Sequence, residues 1–106
     1  GESNRLPVSI VDGRAAFRDR VLAAGLAAAG EGTLFFRPHD AEIVDDGDAL
    51  PAVVTLTRQR GGAIRVEAMV DGLSVPLEVD VTPDKAPRVG DRVAIRPTRV
   101  RLFPAG

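Results

Sequence analysis

The chain has 106 residues, a formal net charge of -1, 44% hydrophobic residues and no cysteine, and its only aromatics are four phenylalanines. That length reads as one domain, or two packed halves sharing a core, built from Val, Leu, Ile and Ala. The charge gives no bulk attraction to nucleic acid or to an anionic membrane. The missing cysteines exclude a disulfide scaffold and every thiolate metal site.

In chain order, "RLPVSIV" (5–11) and "RAAF" (14–17) flank Asp12-Gly13 and read as a hairpin. The stretch "VLAAGLAAAGEG" (21–32) leaves two readings open. Its alanines favour a short helix, whereas Gly25, Gly30 and Gly32 and the lack of a charged face favour an irregular or extended loop. "TLFF" (33–36) reads as a strand ended by Arg37-Pro38. A single helical turn is expected around 38–42 before "AEIV" (41–44) extends again. Gly47-Asp48 marks the next turn.

A three-stranded meander follows over about 52–81, punctuated by Gly61-Gly62 and Asp71-Gly72. In "AIRVEAMV" (63–70), Ile64, Val66, Ala68 and Val70 share one face, with Arg65 and Glu67 opposite. In "LSVPLEVDV" (73–81) the apolar face is Leu73, Val75, Leu77, Val79 and Val81. Pro76 lacks a donor and puts that strand at an edge or near a bulge. The last pair, "RVAIR" and "TRVRLF", turns Val93, Ile95, Val100 and Leu102 inward and its arginines outward. Eight to ten short strands with one shared core predict a mostly-β barrel or two half-barrels, with helix only as single turns.

One construction occurs twice. "TLFFRPHDAEIV" (33–44) overlies "RVAIRPTRVRLF" (92–103), matching Leu34 with Val93, Phe36 with Ile95, Arg37 with Arg96, Pro38 with Pro97, Ala41 with Val100 and Ile43 with Leu102. Repetition favours architecture: two related lobes, each turning a corner at Arg-Pro. The chemical alternative makes Arg37, His39 and Asp40 part of a contact or anion site.

Other chemistry is thinner. His39 is the only histidine and Ser3, Ser9 and Ser74 are scattered, so a nucleophile–base pair is not expected. Asp45, Asp46 and Asp48 resemble part of a hard-cation loop but lack its further carboxylate and spacing, and read as a solvated turn. Arg92, Arg96, Arg99 and Arg101 form one basic cluster, and Arg58, Arg60 and Arg65 another. Nucleic acid is discounted because acidic neighbours can pair with these arginines and no aromatic stacking platform is evident. No cofactor and no metal is expected.

"GESNRLPV", "LFFRPHDAEI" and "GDRVAIRPTRVRLFP" resemble, in order and over nearly the whole chain, the C-terminal region of ABC-importer ATPase subunits of the sulfate/thiosulfate type. There an "NRL" stretch and a later "RPHD" box accompany an accessory regulatory domain of the transport-associated OB (TOBE) type. The resemblance implies an OB-like barrel of two related half-units, and residues 1–106 as one excised accessory domain without the ATPase domain. No "GxxxxGK[ST]" phosphate loop is present, which implies a non-catalytic chain. It further implies as partners the nucleotide-binding domain, a second copy and the permease subunits, at the inner face of a bacterial plasma membrane. Molybdate-type relatives imply a sulfate- or molybdate-like oxyanion at the Arg-Pro corners, with Arg37, His39, Asp40, Arg96 and Arg99 as its candidate contacts. Phe35, Phe36, Leu102 and Phe103 are candidates for the partner surface.

Overall fold

The strict alternation of the first strand sets the interior. In β1 (Asn4–Val11), Leu6, Val8 and Ile10 are buried while Arg5, Pro7, Ser9 and Val11 face solvent. The computed structural model describes residues 3–45, 47 and 49–105. Among these, β1 joins β2 (Arg14–Phe17), β3 (Arg20–Ala23), β4 (Gly30–Phe36) and β10 (Arg101–Pro104) in a five-stranded antiparallel sheet ordered β10-β4-β1-β2-β3. A second antiparallel sheet, ordered β5-β9-β6-β7-β8, holds β5 (Ala41–Val44), β6 (Leu50–Arg60), β7 (Ala63–Val70), β8 (Leu77–Val81) and β9 (Arg92–Pro97). Among the described residues, helix is limited to 3-10 turns at Pro38–Asp40 and Pro83–Lys85. The mostly-β class expected from the spacing is the class observed, consistent with the OB-like fold that the resemblance implies.

One core joins the two sheets. Leu6, Ile10, Leu34 and Phe36 from the first meet Leu50, Ala68, Leu77, Val79 and Ile95 from the second. At the seam, Asn4 replaces a missing strand. Its side-chain NH₂ donates to the Glu78 carbonyl and its Oδ1 accepts from the Glu78 N–H, both at 2.8 Å. These are the backbone groups of Glu78 on the edge strand β8, and Asn4 supplies a partner to both. Asn4 is 5% exposed.

The alanine-rich stretch resolves to strand and loop. Residues 20–23 form β3, residues 24–29 are irregular, and β4 starts at Gly30. Gly25 and Gly30 sit at φ +71° and +92°, outside any right-handed helix. The Leu26 N–H donates to the Gly13 carbonyl at 3.0 Å, pinning the loop to the first turn. Local propensity yields here to tertiary hydrogen bonding.

Two meander expectations change. The 71–76 connection is longer than a hairpin turn, so the expected apolar face of 73–81 begins only at Leu77, and Val75 is 69% exposed. The strand does lie at a sheet edge, as Pro76 suggested. In β6 a bulge at Thr55 reverses the alternation. Leu50, Ala52 and Val54 face inward, but Leu56, which simple alternation would bury, is 43% exposed. The Thr55 hydroxyl stitches the bulge by donating to the Glu67 carbonyl at 3.3 Å.

The largest correction concerns the C-terminal pair. "RVAIR" and "TRVRLF" do not pair with one another, because β9 lies in the second sheet and β10 in the first. Likewise β4 and β5 lie in different sheets. Each Arg-Pro is thus a crossover between sheets, and the repeats interlock: β4 pairs with β10, and β5 with β9. The pseudo-two-fold is imperfect. Leu34 pairs with Leu102, so strict symmetry would set Val93 against Ile43, where Ile95 stands instead.

Candidate functional site

The interlocking brings the two corners together within one chain. Pro97 lies opposite Ala41, and the Thr98 N–H donates to the Asp40 carbonyl at 2.7 Å. Both prolines are buried, the first opening a 3-10 turn and the second closing a strand. Their buried rings and missing donors suit points where the chain leaves one sheet for the other.

A cleft of about 720 Å³ opens beside this junction. Arg37, His39 and Asp40 from the first corner and Arg99, Val100 and Arg101 from the second line it, with Phe35 and Phe103 as aromatic walls. Four of the five residues singled out in the sequence therefore share one cleft. Arg96 does not line it. Its guanidinium donates twice to the Glu42 carboxylate across β5 and β9, through Nη2 at 2.9 Å and Nε at 3.2 Å. The repeated arginines thus have different surroundings despite matching in sequence.

Charge is distributed unevenly over the molecule. On the outer face of the second sheet, Arg65 is 4% exposed and held by Asp80 and Glu78. Arg58 lies 3.7 Å from Glu78 and 3.9 Å from Glu67, relieving the repulsion of those cross-strand carboxylates. Arg18 meets Asp71 at 3.4 Å. In the cleft, by contrast, Arg37 and Arg99 are exposed and have no carboxylate partner among the described residues. The one acid lining it, Asp40, faces His39 at 3.7 Å. The cleft is cationic by geometry, although the chain is nearly neutral.

Sequence reasoning named Phe35 and Phe103 as surface candidates but missed that they form one wall with Arg5 and Arg101. Phe35 is outward on β4, and its neighbours across the sheet are Arg5 on β1 and Arg101 on β10. Phe103 meets Phe35 edge-to-face, with centroids 4.9 Å apart. Arg5 lies over Phe35 at 5.5 Å and Arg101 over Phe103 at 5.4 Å. Only the pairing of β1, β4 and β10 assembles this arginine–phenylalanine surface. Alternation along β4 and β10 does signal that Phe35 and Phe103 face one way, while Phe36 and Leu102 face the other. Of the four proposed surface residues, Phe36 is buried and Leu102 packs partly against the core.

Among the described residues, no cluster of three potential metal ligands occurs. Asp46 and Asp48 of the acidic run lie outside the described residues.

Residues 44–98 match the TOBE-like domain family (TOBE_3). The sulfate/thiosulfate import ATP-binding protein CysA 2 of Rhizobium meliloti (strain 1021) is 37% identical over 110 residues, covering 100% of this chain and 30% of that protein. The sulfate/thiosulfate import ATP-binding protein CysA of Mesorhizobium japonicum is 38% identical over 108 residues, covering 99% and 31%. Its namesake in Brucella melitensis biotype 1 is 35% identical over 109 residues, covering 100% and 30%. The chain therefore spans a little under a third of the length of these relatives.

Proposed function

Because the chain belongs to the TOBE-like domain family, we propose that it is a non-catalytic regulatory domain of the ATP-binding subunit of a sulfate or thiosulfate importer. Its partners are then the nucleotide-binding domain, a second copy of the subunit and the membrane permease, on the cytoplasmic face of the membrane. What supports this reading is alignment of nearly the whole chain with sulfate/thiosulfate import ATP-binding proteins, of which it spans about 30%.

The regulatory signal is the transported oxyanion, bound in the junction cleft. The observation carrying this step is the pair of exposed arginines, Arg37 and Arg99, that line one cleft without a carboxylate partner among the described residues. Guanidinium forks match tetrahedral oxyanions in charge and donor spacing. Because one corner belongs to each repeat, an anion there ties the two interlocked units together. It biases the transporter only if the cleft differs between its open and closed states, since equal binding to both shifts neither.

The test is thermal unfolding against sulfate, thiosulfate, molybdate and phosphate, with chloride at matched ionic strength and a short oligonucleotide as a further arm. The expected result is a saturable upward shift with one oxyanion, equivalent to about 2.7 kcal/mol at a hundredfold excess over Kd. It is lost in Arg37→Gln and Arg99→Gln and retained in Arg96→Gln. A response shared by every salt would remove the sensing role and leave a domain that couples subunits. A shift with the oligonucleotide alone would place the chain among nucleic-acid-binding OB folds.

A further inference from the structure

The cleft is far larger than the anion just assigned to it. A tetrahedral oxyanion fills little more than the space of two water molecules, about 60 Å³ at ~30 Å³ per water. The available volume of about 720 Å³ lies within the range of about 300–1,000 Å³ typical of small-molecule sites. A sulfate clamped by Arg37 and Arg99 leaves the aromatic wall unused. That wall is an edge-to-face phenylalanine pair, with Phe103 still 48% exposed and a guanidinium over each ring. A partly exposed aromatic pair carrying cations, beside further arginines lacking carboxylate partners among the described residues, matches a ligand that is flat and aromatic at one end and anionic at the other.

We infer that the cleft binds a nucleoside phosphate. Its base lies on the Phe35–Phe103 wall and its phosphate is held by Arg37 and Arg99. The inference rests on the proposed reading in one respect, that these two arginines form an anion clamp; it replaces a bare oxyanion by one attached to an aromatic group. Base–aromatic stacking is tolerant of base identity, because every base presents a π face, so the wall selects for aromaticity more than for a particular base. Arg5 and Arg101 add cation–π surface next to the rings. Asp40 lies at the same mouth, beside His39, and disfavours highly charged phosphate chains relative to a monophosphate.

Titration calorimetry of the chain with AMP, adenosine, inorganic phosphate, sulfate and a dT oligonucleotide, all at constant ionic strength, tests this. The expected result is AMP binding at least tenfold tighter than phosphate, sulfate or adenosine. Phe103→Ser then weakens AMP about tenfold and leaves the free anions unchanged, whereas Arg99→Gln weakens all three anions. Phe103 is half-exposed, so its replacement leaves the fold intact, which the thermal midpoint verifies. Sulfate binding as tightly as AMP, with both indifferent to Phe103→Ser, would overturn the nucleotide while sparing the oxyanion clamp. No binding of any anion would overturn both. A dT oligonucleotide binding tighter than AMP would overturn the mononucleotide in favour of a single-stranded polymer on the same surface.

Discussion

Single side chains carry tasks that their sequence neighbours do not announce. Asn4 belongs to the "NRL" stretch on which a family resemblance rests, and its observed task is structural: it supplies donor and acceptor to the Glu78 backbone. Asn4→Ala leaves both Glu78 groups without these partners and should destabilise the chain by about 2–3 kcal/mol, read as a lower denaturation midpoint. Asn4→Asp keeps the acceptor but sets a carboxylate against a carbonyl, so it should rescue little. Gly72 is fixed chiefly by its backbone, because the side chain that a Cβ would meet is free to move aside. At φ +97°, a Cβ there would strike the Arg18 guanidinium, which rests on this turn and pairs with Asp71. Gly72→Ala should therefore destabilise by at least about 1 kcal/mol. Adding Arg18→Ala should recover little of this loss, because the cost is conformational, a separation that a double-mutant cycle measures. The adjacent phenylalanines of β4 and the exposed one of β10 differ in kind. Phe36→Ala should cost about 3–5 kcal/mol as a core truncation, against less than about 1.5 kcal/mol for Phe103→Ser.

Strands and corners were legible in the sequence wherever alternation was uninterrupted. β1 and β7 have the faces that their period of two implies, and the Asp12-Gly13 and Gly61-Gly62 turns lie where the composition puts them. Three features escaped that reading for physical reasons. The Thr55 bulge adds a residue without changing composition, so it turns Leu56 outward with no local warning. The stretch 24–29 is held by the Leu26-to-Gly13 hydrogen bond, a contact with a distant turn that overrides the helical preference of alanine. The partners of β9 and β10 depend on which sheet each enters, and an Arg-Pro corner sets a change of direction without naming its destination. Electrostatics also separates at this scale. Arg65 is buried in a carboxylate pocket on the second sheet, so Arg65→Ala should strand Asp80, leave Glu78 only the longer contact with Arg58, and cost about 3 kcal/mol or more. Arg58 is half-exposed, and Arg58→Ala should cost less than about 1 kcal/mol. Urea denaturation of the two variants side by side gives the contrast directly.

Across the whole molecule, the repeated Arg-Pro explains the architecture and the position of the candidate cleft. Two related strand–corner–strand units interlock, each contributing one strand to each sheet, so the corners become neighbours although 59 positions separate Pro38 from Pro97 in the repeat alignment. Of the site, the sequence made Arg37, His39, Asp40 and Arg99 legible as candidates. It could not place Arg96 outside the cleft, because Glu42, with which Arg96 pairs, lies on another strand and is met only through the β5–β9 register. Nor could it assemble the Arg5–Phe35–Arg101 row, whose members come from three strands. The most direct test of the proposed anion site is a ¹H–¹⁵N chemical-shift titration of the chain with sulfate at constant ionic strength. The expected result is saturable shifts confined to residues 37–40 and 99–101, absent from Arg14, Arg88 and Arg92. Shifts spread evenly over all exposed arginines, or reproduced by chloride, would contradict it.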